Sequence, residues 1–148
     1  MNSPPRLTDF PSQTYDKLRY GDTDRQGHVN NVAFATFLET GRVALLEAAG
    51  RRLTEPGFNF VLARITIDYL AEIHLPGTVE IGSAVKTIGN SSVAITQALF
   101  QREKCVATCE AVVVQVDPAT SRSAALSPSL RESLNALLVP GSKPAPDR

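Results

Sequence analysis

The fold is decided by residues 31–50, which read NVAFATFLETGRVALLEAAG. Alanine, leucine and glutamate favour helix, the stretch contains no proline, and Gly50 is a natural stop, so the pattern predicts a helix over residues 32–49. At roughly 1.5 Å per residue this helix would be about 27 Å long. Apolar residues cover most of its circumference, which is typical of a helix enclosed by other structure.

Outside this helix the sequence predicts mostly β-strands. Turn residues, hairpin spacing and β-branched runs predict strands at residues 14–20, 58–75, 79–88, 92–101 and 104–116, and a last helix at 128–138 after a possible N-cap, Ser127. The run 104–116 is apolar on both faces, which favours a position inside the sheet. The order predicts an α+β architecture, with a curved, mostly antiparallel five-stranded sheet wrapped around the long central helix.

Length and composition fit a single soluble unit. The chain has 148 residues, 43% of them hydrophobic, with five of its ten prolines near the two ends. We therefore expect flexible tails at residues 1–12 and 139–148 around one domain at 13–138. Fifteen basic residues balance fifteen acidic ones, which gives no electrostatic reason to expect nucleic-acid binding. The sequence shows neither a membrane-spanning run nor a signal-peptide pattern, so we expect a cytoplasmic protein without membrane insertion.

The segment that carries chemistry is residues 20–31, YGDTDRQGHVNN, directly before the long helix. One interpretation is a capping loop, with Asn30 or Asn31 as the N-cap and an aspartate complementing the helix dipole. The other interpretation is catalytic. The first amides of the helix are free to polarise a carbonyl, and a loop carboxylate can act as general base or as nucleophile, without a metal or an organic cofactor.

Residues 22–42, DTDRQGHVNNVAFATFLETGR, resemble the motif of hotdog-fold acyl-CoA thioesterases of the 4-hydroxybenzoyl-CoA thioesterase type, and residues 75–100 continue the likeness. The resemblance implies hydrolysis of an acyl-CoA thioester to free acid and CoA. It places the catalytic carboxylate at Asp24 and the carbonyl-polarising amides at the backbone of Asn31 and Val32. His28 would orient water or hold the loop, and Asp22 would shape the turn.

The acyl group is less well defined by the sequence. Candidate substrate-binding residues lie on the helix and on the strand after it: Phe34, Phe37, Leu38, Glu39, Phe58 and Phe60. The apolar members of this set fit a plain core equally well. Glu39 either pairs with Arg42 one helical turn away or faces the active-site cleft.

The sequence gives little support for a metal site or a disulfide. Asp22, Asp24 and His28 lack an obvious fourth ligand, His74 reads as a surface or capping residue, and we expect no metal and no cofactor. Cys105 and Cys109 would share one strand face about 13 Å apart, too far to pair.

The relatives pair their sheets and build each site at the subunit boundary, so we expect a homodimer or a dimer of dimers, with residues 58–73 of the second copy beside the cleft. The alternatives are a non-catalytic acyl-CoA or lipid-binding hotdog module and a hotdog hydratase or dehydratase.

Overall fold

A computed structural model describes residues 3–51 and 59–140 of the chain. The strands are β1 Ser12–Lys17, β2 Asn59–Tyr69, β3 Thr78–Ile88, β4 Ser92–Gln101, β5 Lys104–Asp117 and β6 Arg122–Ser123, and the helices are α1 Asn31–Ala48 and α2 Pro128–Asn135. Short 3-10 turns lie at Leu7–Asp9 and Tyr20–Asp22. In the described ranges neither helix is long and apolar enough to cross a membrane.

The strands form one antiparallel sheet in the order β1-β3-β4-β5-β2, and α1 packs against it. The predicted architecture and the predicted β3–β4 hairpin are confirmed. The doubly apolar strand β5 lies between β4 and β2, as its pattern indicated. The sequence did not predict β6, a two-residue strand paired with the end of β5, because two residues carry no periodicity.

Helix α1 begins and ends as expected but is less enclosed. The side chain of Asn30 caps it, and Gly50 follows its end with a φ of +87°. Residues spaced three and four apart bury one face: Ala33, Phe34, Phe37, Leu38, Gly41, Arg42, Leu45 and Leu46. The opposite face is open, and Val32 is 69% exposed. The prediction of an enclosed helix is therefore wrong for this face. Alanine and valine residues outside the buried face raise the apolar content of the helix, but no other element of the described chain buries them.

Strand β2 stops before the end of the predicted run 58–75. The amides of Leu70 and Ala71 both donate to the Val106 carbonyl, and the chain then leaves the sheet. Residue Ile73 is fully buried, and its carbonyl accepts from the amide of Val29 at 3.0 Å. The segment 70–77 thus crosses the loop that precedes α1, which positions that loop for function.

Both cysteines are free, but they do not share a face. Cys109 is buried in the cluster under α1, whereas Cys105 packs beside a second cluster that contains Phe10 and Phe100. The pairing of β4 with β5 shifts register between Leu99 and Phe100. This bulge reverses the alternation of side chains on β5, which the sequence does not reveal.

Candidate active site

The loop before α1 is shaped by Asp22, whose side chain is buried. Its carboxylate accepts from the backbone amide of Arg19 at 2.9 Å and from the Arg19 guanidinium at 3.0 Å. The hydrogen bond to this carboxylate raises the pKa of Arg19. The backbone carbonyl of Asp22 accepts from the amide of Asn30 at 2.7 Å, which closes the loop at its base. Asp22 has the turn-shaping geometry that the sequence predicted.

Asp24 lies at the tip of the same loop and is half-buried. Its Oδ1 accepts from the backbone amides of Gln26 at 2.8 Å and His28 at 3.2 Å, and its own amide donates to the His28 carbonyl at 2.7 Å. Within the described part of the chain, Oδ2 has no hydrogen-bond partner. One oxygen therefore fixes the carboxylate to the loop, and the other stays available to a water molecule or a substrate.

The start of α1 offers backbone amides of unequal freedom. The amide of Val32 donates to Oδ1 of the capping Asn30 at 3.0 Å, while the amide of Asn31 has no partner in residues 3–51 and 59–140. The Tyr69 hydroxyl donates to the Asn31 carbonyl at 3.3 Å and links the end of β2 to the helix start. Of the two predicted carbonyl-polarising amides, that of Val32 is engaged by the cap, and that of Asn31 is free as far as the described residues show.

His28 has neighbours that the sequence did not connect with it. Its Nε2 lies 3.4 Å from Oε2 of Glu72, and the same oxygen lies 3.5 Å from Nε2 of His74. The two imidazole rings meet edge to face with centroids 5.5 Å apart. The expectation that His74 is only a surface or capping residue is incomplete, because its ring contacts His28 and Glu72. More than forty residues separate His28 from His74, so no local pattern in the sequence indicated this contact.

The predicted substrate-binding residues fall into two groups. Phe34, Phe37 and Leu38 are buried in the core between α1 and the sheet. Glu39 and Phe60 instead line a cavity of about 570 Å³ between α1 and the start of β2. Phe58 lies outside the described residues. Periodicity alone does not distinguish a core residue from a pocket residue, and the structure separates them.

Arg42 lines the same cavity, although its side chain is almost fully buried. Its guanidinium donates to Gln97 Oε1 at 3.3 Å, and Gln97 in turn donates to the Leu38 carbonyl at 3.0 Å and to Ser83 Oγ at 2.9 Å. Burial lowers the pKa of Arg42, with a smaller opposing effect from Glu39. The described residues show no ion pair between Glu39 and Arg42, and both line the cavity.

Comparisons with known proteins agree on one family. A family model described as the thioesterase-like superfamily matches residues 18–134. The acyl-CoA thioester hydrolase YbgC of Escherichia coli O6:H1 is 27% identical over 118 residues, which are 77% of this chain and 88% of that protein. The crystal structure of the PA5185 protein of Pseudomonas aeruginosa PAO1 is 30% identical, with a TM-score of 0.84, over 93% of this chain and 99% of that one. A Thermus thermophilus thioesterase crystallised with coenzyme A and zinc is 28% identical, with a TM-score of 0.76, over 87% of this chain and 95% of that one.

Proposed function

Because the chain belongs to the thioesterase-like superfamily, we propose that it hydrolyses acyl-CoA thioesters where the Asp24 loop meets the start of α1. The predicted hotdog fold and the predicted thioesterase class both hold for this chain. The similarity to YbgC and to a thioesterase crystallised with coenzyme A supports an acyl-CoA substrate. The observation that carries the proposal is the Asp24 carboxylate, fixed by one oxygen and open at the other.

Asp24 supplies the base or the nucleophile of the reaction. As a base, Oδ2 takes a proton from water while the water oxygen attacks the thioester carbonyl carbon, and the C–S bond then breaks to release the CoA thiolate. As a nucleophile, the carboxylate attacks that carbon itself, the thiolate leaves, and water hydrolyses the resulting anhydride. Both routes form a negatively charged oxygen at the substrate carbonyl.

The start of α1 stabilises that oxygen. The amide of Asn31, which has no partner among the described residues, is the direct donor, because the amide of Val32 already serves the Asn30 cap. The Val32 amide still contributes to the positive end of the helix, and its cap bond keeps that end well ordered. A donor aimed at a developing oxyanion typically supplies a factor of about 10²–10³ in rate.

His28 positions the attacking water. Its backbone is fixed to Asp24 on both sides, at its amide and at its carbonyl. The Glu72 carboxylate, 3.4 Å from Nε2, favours one ring orientation. A positioning role implies a modest rate loss in His28→Ala, smaller than the loss in a variant of the carboxylate itself.

The acyl group occupies the cavity lined by Glu39 and Phe60, beside Val43 and Leu62. Glu39 follows Asn31 by eight residues, so the cavity begins about 12 Å along the helix from the reacting carbonyl. Its volume of about 570 Å³ lies in the usual range of ligand pockets. Of the predicted substrate residues, Phe34, Phe37 and Leu38 then form the wall behind the site rather than its lining.

A second copy of the chain completes the site. Strand β2 ends the path of the sheet, and in the described ranges it pairs with β5 alone. Val61 and Leu62 on this edge are 45% and 47% exposed, which is unusual for an apolar edge strand that stays uncovered. Residues 58–73 of the second copy would border the cleft.

The assembly is tested by light scattering of Leu62→Lys, in which the particle mass should fall to that of one chain, 15.9 kDa. The matched control is Tyr15→Lys on β1, the opposite edge of the sheet, which should leave the oligomer intact. A parent chain that is monomeric and fully active would contradict the proposal.

The activity itself is tested with a panel of aliphatic and aromatic acyl-CoAs, by following free thiol release. We expect hydrolysis of at least part of the panel. Binding of acyl-CoA without thiol release would contradict the proposal and support a non-catalytic binding module. Hydration of crotonyl-CoA, seen as loss of enoyl absorbance, would support the hydratase class instead.

A further inference from the structure

A cluster of two histidines and a glutamate lies beside the Asp24 loop, and the proposed hydrolysis uses the position of His28 but not the capacity of the three side chains to bind a metal ion. His28, Glu72 and His74 each present a ligand atom, and the three atoms lie within 4.8 Å of one another. His28 is about one-third exposed, and the other two side chains are each 57% exposed. An ion can therefore enter from solvent.

The distances fit a tetrahedral ion. Bonds of about 2.1 Å from zinc to imidazole nitrogen or carboxylate oxygen place two ligand atoms of a tetrahedron about 3.4 Å apart. The distances from Glu72 Oε2 to Nε2 of His28 and His74 are 3.4 and 3.5 Å. The ligand atoms of the two histidines lie within 4.8 Å of each other, so ion binding would draw the imidazoles together.

The backbone holds both histidines in place before any ion binds. His28 and His74 pair as an isolated antiparallel bridge. The amide of His74 donates to Gln101 Oε1 at 3.0 Å, and its carbonyl accepts from Gln101 Nε2 at 2.7 Å. His28 is fixed in the same way by Asp24. These bonds fix the two backbones, so an ion has only the side-chain torsions of the histidines left to order.

We infer that His28, Glu72 and His74 bind a zinc-like divalent cation, with solvent at the fourth position. Two neutral imidazoles and one carboxylate are a donor set that suits zinc and its first-row neighbours, whereas magnesium and calcium prefer all-oxygen sites. The bound ion would link the loop before α1 to the segment 70–77. This inference stands apart from the proposed hydrolysis, because binding is measured without substrate.

The experiment is titration of the tag-free, EDTA-treated chain with ZnCl₂, followed by calorimetry and by Tm. We expect one ion per chain and, at zinc a hundredfold above Kd, a Tm rise of about 5–10 °C. His74→Ala and Glu72→Gln should each weaken binding by about tenfold or more, since even loss of a neighbour that only supports a ligand costs about 10–100-fold. Glu132→Gln, a substitution on α2 far along the chain from the cluster, is the matched control and should bind as the parent does.

Magnesium in place of zinc should give no heat and no Tm shift. A parent chain that binds no zinc, or zinc affinity that is equal in the parent, His74→Ala and Glu72→Gln, would overturn the inference. Weakened binding in Glu132→Gln of the same size as in Glu72→Gln would overturn it as well, because the ion would then be held by general surface charge.

Discussion

The substitution Gly41→Ala tests how closely α1 approaches the sheet. Gly41 lies inside the helix on its buried face. A Cβ at this position would lie 2.5 Å from Ile81 Cγ2, 2.7 Å from Gln97 Nε2 and 2.9 Å from Ser83 Oγ. These distances are shorter than van der Waals contact, so the side chains of Ile81, Gln97 and Ser83, or the helix itself, must shift.

The expected effect is a balance of two terms. Alanine in a helix interior is better than glycine by about 1 kcal/mol. Overpacking of a close contact costs roughly 1–3 kcal/mol, and displacement of Gln97 also weakens its hydrogen bonds to Ser83 and the Leu38 carbonyl, at about 1 kcal/mol each. The net expectation is a loss of about 2–4 kcal/mol, which for a chain of this size lowers Tm by roughly 5–15 °C.

The assay is thermal and urea unfolding of Gly41→Ala beside Gly21→Ala. A Cβ added at Gly21 would have no atom within 4 Å, and Gly21 has no positive φ, so its substitution should be neutral or stabilising by up to about 1 kcal/mol. A Gly41→Ala variant as stable as the parent, or more stable, would refute the close packing of α1 on the sheet.

Three further outcomes concern the core, the helix cap and the metal. Burial raises the pKa of Cys109 from 9.0 to about 11, so between these pH values the folded chain keeps a thiol proton that the unfolded chain loses. The stability of the fold should therefore fall as pH rises through this range, and Tm should fall less in Cys109→Ala than in the parent. Equal falls in Tm would contradict the raised pKa. Asn30→Ala should lower stability by about 0.5–2 kcal/mol and Asn30→Ser much less; equal losses in unfolding experiments would rule out the cap bond to Val32. EDTA should leave hydrolysis unchanged, and zinc should inhibit the parent reversibly but not His74→Ala; equal inhibition of both would contradict zinc binding by His28, Glu72 and His74.

Local patterns predicted most of the fold. The long helix, its cap at Asn30 (one of the two predicted candidates) and the β3–β4 hairpin each depend on residues close together in sequence, such as Gly89 and Asn90 at the turn. The end of β2 at Tyr69 was not predicted, because residues 70–75 are as apolar as the strand before them. They leave the sheet to pack against the loop before α1, and that contact is tertiary.

The candidate site was predicted in part for the same reason. The loop from Asp22 to Asn30 is held by bonds across two to eight residues, so its motif carries its shape. Pairing of His28 with Glu72 and burial of Arg42 against Gln97 join distant parts of the chain. The position of Arg42 in the helical repeat does not by itself show that its side chain is buried.

In the proposed reaction Asp24 carries the chemistry, and Asp24→Asn is the variant that isolates its role. The asparagine oxygen can still accept from the amides of Gln26 and His28, so the loop keeps its shape while the charge and the basicity are lost. The matched control is Asp22→Asn, which loses the pairing of a buried carboxylate with Arg19 and should act mainly on stability.

The deciding measurement is kcat of Asp24→Asn with a hydrolysed acyl-CoA, taken beside its Tm. We expect kcat to fall by about 10²–10⁴, with KM and Tm close to those of the parent. Asp22→Asn should show the opposite pattern, with a lower Tm and near-normal kcat in the folded fraction. A folded Asp24→Asn variant that keeps more than about a tenth of the parent turnover would contradict the account, because that loss lies outside the range for a positioned base.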